Sequence, residues 1–142
     1  EESALWSLDR KDGMEKAYCC FNSNARDFAR FGQLLLNNGQ WDDRQLISPA
    51  YLAEATSPDT RLVYKDLGKP NHCYGFQYWI LDYKGMKIPY MRGILGQYVF
   101  TLPEKNAVIV RLGHKRSDTY TADQHYPDDI NTWLDAAMDL LQ

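Results

Sequence analysis

No apolar run in the sequence reaches the roughly 18 residues that a bilayer-spanning helix needs, so nothing in it reads as a membrane span. The N-terminal Glu1-Glu2-Ser3 has neither the basic nor the apolar region of a signal peptide, and the residues alone leave the compartment open. Basic charge is scarce: 16 Lys and Arg stand against 19 Asp and Glu, a net charge of −3. The one basic cluster, His114-Lys115-Arg116, reads as a solvated strand end, which argues against a nucleic-acid partner. Cysteine is too sparse for a disulfide framework. Only three are present, and since Cys19 and Cys20 are neighbours, at most one intrachain bridge can form. Together with His72, His114 and His125 they invite a zinc reading. Cys-Cys and His-Cys neighbours lack the gaps of about two to four residues of a chelating pair, so no metal and no cofactor is expected, and the cysteines are expected to be buried thiols.

What remains is apolar and aromatic mass. With 142 residues, 44% of them apolar and 13% aromatic, the chain can bury the core of one domain spanning 1–142. Residues 1–21 show no clear period and read as an irregular lead-in. Apolar residues at 25, 28, 31, 32 and 35 then define one face of a helix over 25–36. Asn24 with Asp27 can cap its first turn, Asn38-Gly39 supplies a left-handed stop, and Phe28 and Phe31 are expected to anchor it in the core. Residues 40–47 form a polar turn. Ser48-Pro49 fits the cap and first position of a short helix over 50–56. Residues 57–71 carry two prolines and a glycine and read as a surface loop. Aromatic and β-branched residues predict strands over about 74–82, 88–102 and 107–113, joined by connections short enough to require antiparallel order. Glycines at 93 and 96 mark a place where the backbone bends or is closely approached. A last helix over 128–141 presents residues 130, 133, 134, 137, 138 and 141 to the sheet. The fold class is therefore α+β, with an antiparallel sheet of about three strands flanked by helices.

Three stretches resemble one family. Leu34 to Pro49 passes from a Leu-rich helix end through Asn-Gly and Trp41 to Leu-Ile-Ser-Pro. Tyr74-Gly75-Phe76-Gln77-Tyr78-Trp79 is similar to a Tyr-Gly-x-x-Trp strand, and Gly93-Ile94-Leu95-Gly96-Gln97 leads into an apolar strand and the turn Pro103-Glu104-Lys105-Asn106. All three resemble the serine β-lactamase and penicillin-binding-protein-like hydrolases, including class C β-lactamase-like and esterase-like members. Asp43 stands where that family often has glycine, a swap that Asp tolerates because it adopts left-handed backbone more readily than most residues.

The resemblance implies the C-terminal part of a β-lactamase/transpeptidase-like fold, acting in amide or ester hydrolysis through an acyl-enzyme on a small-molecule or peptide-like substrate. It also suggests a bacterial periplasm or cell envelope. The family's nucleophile is a Ser three residues before a Lys, and neither Ser-x-x-Lys nor Tyr-x-Asn, Ser-x-Asn, Lys-Thr-Gly or His-x-Gly occurs here. No catalytic residue is therefore expected in this chain, and nucleophile and base would lie upstream of Glu1. What the chain would supply is the substrate-lining strand: Met91, Arg92, Gly93, Ile94, Leu95, Gly96 and Gln97. Met91 then takes the place of a Lys or His, Arg92 the middle position and Gly93 the motif's glycine. The residue after that glycine often turns a backbone N–H toward the reacting carbonyl, and Arg92 either holds a substrate carboxylate through its forked donors or is a surface arginine. The alternative is a non-catalytic homologue of the scaffold, binding a peptide or glycan on an aromatic groove or serving regulation. A chain of this extent is also expected to leave a sheet edge and an apolar face bare and to dimerise through them. The competing expectation has the lead-in folding back as a cover through Leu5, Trp6, Leu8, Tyr18 and Phe21.

Overall fold

The computed structural model describes residues 3–64, 68–123 and 125–141. In chain order the elements are β1 (Leu5–Trp6), β2 (Phe21–Asn22), α1 (Ala25–Leu36), β3 (Gln40–Trp41), β4 (Arg44–Gln45) and α2 (Pro49–Ala55). There follow β5 (Val63–Tyr64), β6 (Lys69–Pro70), β7 (Trp79–Tyr83), β8 (Met86–Gly93), β9 (Gln97–Leu102), β10 (Ala107–Arg111) and α3 (Asp129–Leu140).

The helices start and stop where their caps dictate. Asn24 Oδ1 accepts the Asp27 N–H at 3.0 Å ahead of α1, satisfying one of the donors that a helix start leaves open. After its last turn Asn38 and Gly39 take φ of +50° and +82°, and their N–H groups return to the Leu35 and Leu34 carbonyls. Ser48 Oγ accepts the Tyr51 N–H at 3.1 Å, and Pro49 opens α2.

The main sheet has four antiparallel strands in the order β10-β9-β8-β7. Tyr90 lies opposite both Trp79 and Phe100, and Phe100 opposite Ile109. Strand alternation sends Leu81, Tyr83, Ile88, Tyr90, Tyr98, Phe100 and Leu102 to one face, where they are buried with Ile130 and Leu134 of α3 and with Tyr126. Each such aliphatic side chain contributes about 1.5–3 kcal/mol on burial. Tyr83 and Lys84 both donate to the Asp135 carboxylate, tying α3 to the β7–β8 turn. The other face, carrying Val99, Thr101 and Val108, meets α1 and α2. A Cβ on Gly32 would lie 2.5 Å from Val108 Cγ1, so glycine is what lets α1 settle this close. The sheet is thus held between α3 on one side and α1 with α2 on the other.

This is the α+β antiparallel architecture expected, with several differences. The run 88–102 is two strands, because Ile94 to Gly96 reverse the chain, so the sheet has four strands rather than three. The first strand begins at Trp79 rather than Tyr74. Gly75 N–H donates to the Tyr78 carbonyl at 2.8 Å and Gln77 takes φ +64°, so the aromatic run curls back before it enters the sheet. The 57–71 loop contains the β5–β6 ladder, and the 40–47 turn the β3–β4 ladder. In that turn the left-handed residue is Asp42, at φ +50°, and not Asp43.

The lead-in is not wholly irregular: β1 pairs with β2, and Leu8 bridges Glu15. Nor does it cover the sheet, since Leu5, Trp6, Leu8 and Tyr18 are exposed. Phe21 instead meets the rings of Trp6, Phe28 and Phe31 edge-on, at centroid separations of 5.4, 5.6 and 5.7 Å. Phe31 is 43% exposed, so it and the half-buried Phe28 form this side cluster rather than anchoring the main core. The apolar sheet face expected to be bare lies beneath α1 and α2. Cys73 is buried as expected, but Cys19 and Cys20 are bonded to each other and are not buried, since they sit in the exposed bend that leads into β2. Among the described residues no helix is long and apolar enough to cross a membrane, and no cluster of three or more His, Cys, Asp or Glu could hold a metal ion.

Candidate functional site

The stretch singled out from the sequence falls at the end of the two central strands. Gly93 closes β8 and pairs with Gln97, which opens β9, and Ile94, Leu95 and Gly96 cross between them. Leu95 and Gly96 take φ of +60° and +83°. For a leucine that conformation is an outlier costing about 1–3 kcal/mol, and it persists only where the surroundings impose it.

Two side chains impose it. The Gln97 amide pairs with the Gly113 backbone in both directions: Nε2 donates to the Gly113 carbonyl, and the Gly113 N–H donates to Oε1 at 3.0 Å. Arg111 Nη1 donates to the Gly96 carbonyl at 2.6 Å and Nη2 to the Lys115 carbonyl at 2.8 Å. The guanidinium is itself flanked by the Trp133 and Tyr98 rings, at 4.6 and 5.6 Å from their centroids. A Cβ on Gly96 would overlap Arg111 Nη1, so glycine serves twice there, for its φ and for this contact. Around that fixed backbone Ile94 is 79% and Leu95 48% exposed, and the turn stands out at the end of the sheet as a rigid projection.

Alternation along β8 divides the remaining candidates. Met91 and Gly93 belong to the face that meets α1 and α2, whereas Arg92 belongs to the α3 face with Tyr90. The Arg92 guanidinium lies 3.4 Å from the Trp79 ring centroid and 5.8 Å from that of Tyr120, and its Nη1 donates to the His125 carbonyl at 3.0 Å. These contacts pin Tyr120 and His125 to the sheet. Tyr98, opposite Arg92, is pushed up to about 12 by burial first and by the Asp129 carboxylate second, so it is a neutral donor at ordinary pH. Burial likewise raises Tyr90, against the opposing effect of Arg92. Beyond Arg111 an open depression of about 610 Å³ is lined by Lys115, Arg116, Asp128, Asp129 and Thr132, where charges of both signs nearly balance.

The site therefore offers a fixed, exposed backbone turn beside Met91 and Gly93 on one face and a stacked arginine on the other. The sequence marks Gly93 and Gly96 as a bend or close approach within one strand, and shows neither that the chain reverses there nor what fastens the turn. Arg111 and Gly113 sit at the end of another strand, and nothing in their local pattern points back to Gly96.

A four-stranded antiparallel sheet with α3 on one face and α1 and α2 on the other is the arrangement of the β-lactamase/transpeptidase-like hydrolases, and this chain has part of that fold. A solved structure from Bacillus anthracis, named for 6-aminohexanoate-dimer hydrolysis, superposes on 97% of the chain with a TM-score of 0.69 and 25% identity. The chain spans 33% of that protein's length. The likeness reaches the superfamily and no finer family. No protein-family model matches the chain, and no curated protein matches it.

Proposed function

We propose that the chain is the C-terminal part of a β-lactamase-type serine hydrolase, cleaving an amide or ester through an acyl-enzyme. It supplies the substrate-lining strand end Met91 to Gln97, while the nucleophile and its base come from residues upstream. The observation that carries this reading is the Gly93–Gln97 turn: two successive left-handed residues, clamped from Gly113 and Arg111, hold the exposed backbone in one conformation at the end of the sheet. Fixed donors aimed at a developing oxyanion are what acyl transfer needs, each contributing about 3–4 kcal/mol of transition-state stabilisation. In this reading Met91 replaces the cation of the family's third motif on the face toward α1 and α2. Arg92 lies on the opposite face, where its contacts with Tyr120 and the His125 carbonyl make it a holding residue.

A second reading, a peptide- or glycan-binding homologue without catalysis, draws on the Arg92, Trp79 and Tyr120 stack, which offers aromatic surface near the same turn. Turnover separates the two. The chain alone is expected to leave a p-nitrophenyl ester and a chromogenic β-lactam intact, and the protein that also carries the native upstream sequence is expected to hydrolyse one of them. An upstream sequence without Ser-x-x-Lys, and no turnover by the longer protein, would favour the binding module. Self-association through the outer edge of β10 belongs to this proposal too: sedimentation equilibrium should show the chain associating and the longer protein not.

A further inference from the structure

We infer that Cys19–Cys20 is a thiol–disulfide exchange site, opened by low-mass thiols and closed by low-mass disulfides through the reverse exchange, while the domain stays folded. The bond joins neighbours in sequence, with Cα atoms 3.8 Å apart. A disulfide stabilises chiefly by closing a loop of the unfolded chain, and a bond between adjacent residues closes almost none, so this one is no staple for the fold. It is also accessible. Cys20 is exposed and Cys19 half-buried, at the end of the bend that leads into β2, between the exposed Tyr18 and the half-buried Phe21. Exposed disulfides outside a core are the labile ones.

The neighbourhood stays held when the bond opens. The Cys20 carbonyl accepts the Ser7 N–H at 3.2 Å and Asn22 Nδ2 at 3.2 Å, and the Cys19 N–H donates to the Lys16 carbonyl, which also accepts Trp6 Nε1 at 3.0 Å. These bonds and the Phe21 ring contacts do not pass through sulfur. Cys20 takes φ +71°, a backbone that costs a non-glycine residue energy, so the segment has somewhere to relax once the eight-membered ring is released.

The exchange balances with a dithiol. Its thiolate attacks Sγ of the more exposed Cys20, forming a mixed disulfide and releasing the Cys19 sulfur as the leaving thiolate. The reductant's second thiolate then attacks its own sulfur of that mixed disulfide and frees Cys20. Two electrons pass to the cysteines, the two protons lost by the reductant end on them, and the reductant leaves as a cyclic disulfide. The buried Cys73 takes no part.

The test is thiol counting with Ellman's reagent on the native chain before and after dithiothreitol, with thermal unfolding of each form. The oxidised native chain is expected to show no fast-reacting thiol, and the reduced native chain two, with a third only after denaturation. The midpoints of the two forms, and of a Cys19→Ser/Cys20→Ser double variant, should agree within about 3 °C. Two fast thiols before any reductant, a bond that resists dithiothreitol until the chain unfolds, or a double variant that fails to fold would each overturn the inference.

Discussion

Gly96→Ala probes the clamp on the candidate turn, and Gly85→Ala is its natural control. Both glycines have left-handed backbone, φ +83° and +87°, but only Gly96 has a neighbour: the space around a Cβ at Gly85 is open, whereas one at Gly96 would overlap the Arg111 guanidinium. Placing alanine in left-handed backbone costs about 1–2 kcal/mol at either position. At Gly96 the overlapping group is the far end of a flexible side chain, which can swing aside, and the Lys115 carbonyl at 3.0 Å is a tight contact that needs a shift of only a few tenths of an ångström. The added cost is then not the overlap but the hydrogen bonds to the Gly96 and Lys115 carbonyls that Arg111 gives up. Hydrogen bonds from a charged donor contribute about 1.5–3 kcal/mol, toward the lower end here because Arg111 is only half-buried. Gly96→Ala should therefore lose about 3 kcal/mol more than Gly85→Ala, or about 6–12 °C in Tm. Urea unfolding of the two variants measures the difference, and Arg111→Ala closes the cycle: in that background Gly96→Ala should cost no more than Gly85→Ala does. Equal losses for the two glycines in the parent chain would refute the clamp.

Other substitutions test the layers. Leu134→Ala, at a position with no exposed surface in the α3 contact, should cost about 2–5 kcal/mol by urea unfolding, whereas Leu140→Ala, on the same helix but 86% exposed, should stay within about 0.5 kcal/mol. The Thr101 hydroxyl is buried beneath α1 and α2 with no hydrogen-bond partner among the described residues, beside a cavity of about 130 Å³. Thr101→Val keeps the shape and removes the buried polar group, so it should be neutral or stabilise by about 1 kcal/mol. Burial raises the folded-state pKa of Tyr83, Tyr90, Tyr98 and Tyr126 above the unfolded value, so the folded chain holds their protons more tightly. Their contribution is complete below about pH 10 and is lost as pH rises toward about 12, the value for Tyr98; unfolding midpoints should thus fall across that window and show no tyrosine-linked change below it.

The legible parts of the fold were those whose signals are local. Asn24, Asn38-Gly39 and Ser48-Pro49 set helix ends through contacts within a few residues, and their assignments hold. The aromatic run from Tyr74 misled because its strand-like composition competes with a tertiary constraint. A Cβ on Gly75 would meet the Ala55 and Ser57 carbonyls, so that glycine is fixed by packing against the end of α2, and the chain curls there. Gly93 and Gly96 look locally like bends inside a strand, yet the turn they define is held by Gln97, Arg111 and Gly113, whose pairing no local pattern encodes. Which face Arg92 occupies depended on register, which shifts every side chain across the sheet for a slip of one residue. Composition could not show the Cys19–Cys20 bond either, since adjacency alone permits both a bonded and a reduced pair.

The most direct test of the central proposal is covalent trapping of the nucleophile. The protein carrying the native upstream sequence would be treated with a fluorophosphonate or a penicillin, digested, and its adduct located by mass spectrometry, with the 1–142 chain treated in parallel. The account predicts an adduct on a serine upstream of Glu1, none on the chain alone, and slower trapping when Gly96→Ala disturbs the turn. An adduct on any residue from 3 to 141, or trapping of the isolated chain at the same rate as the longer protein, would contradict it.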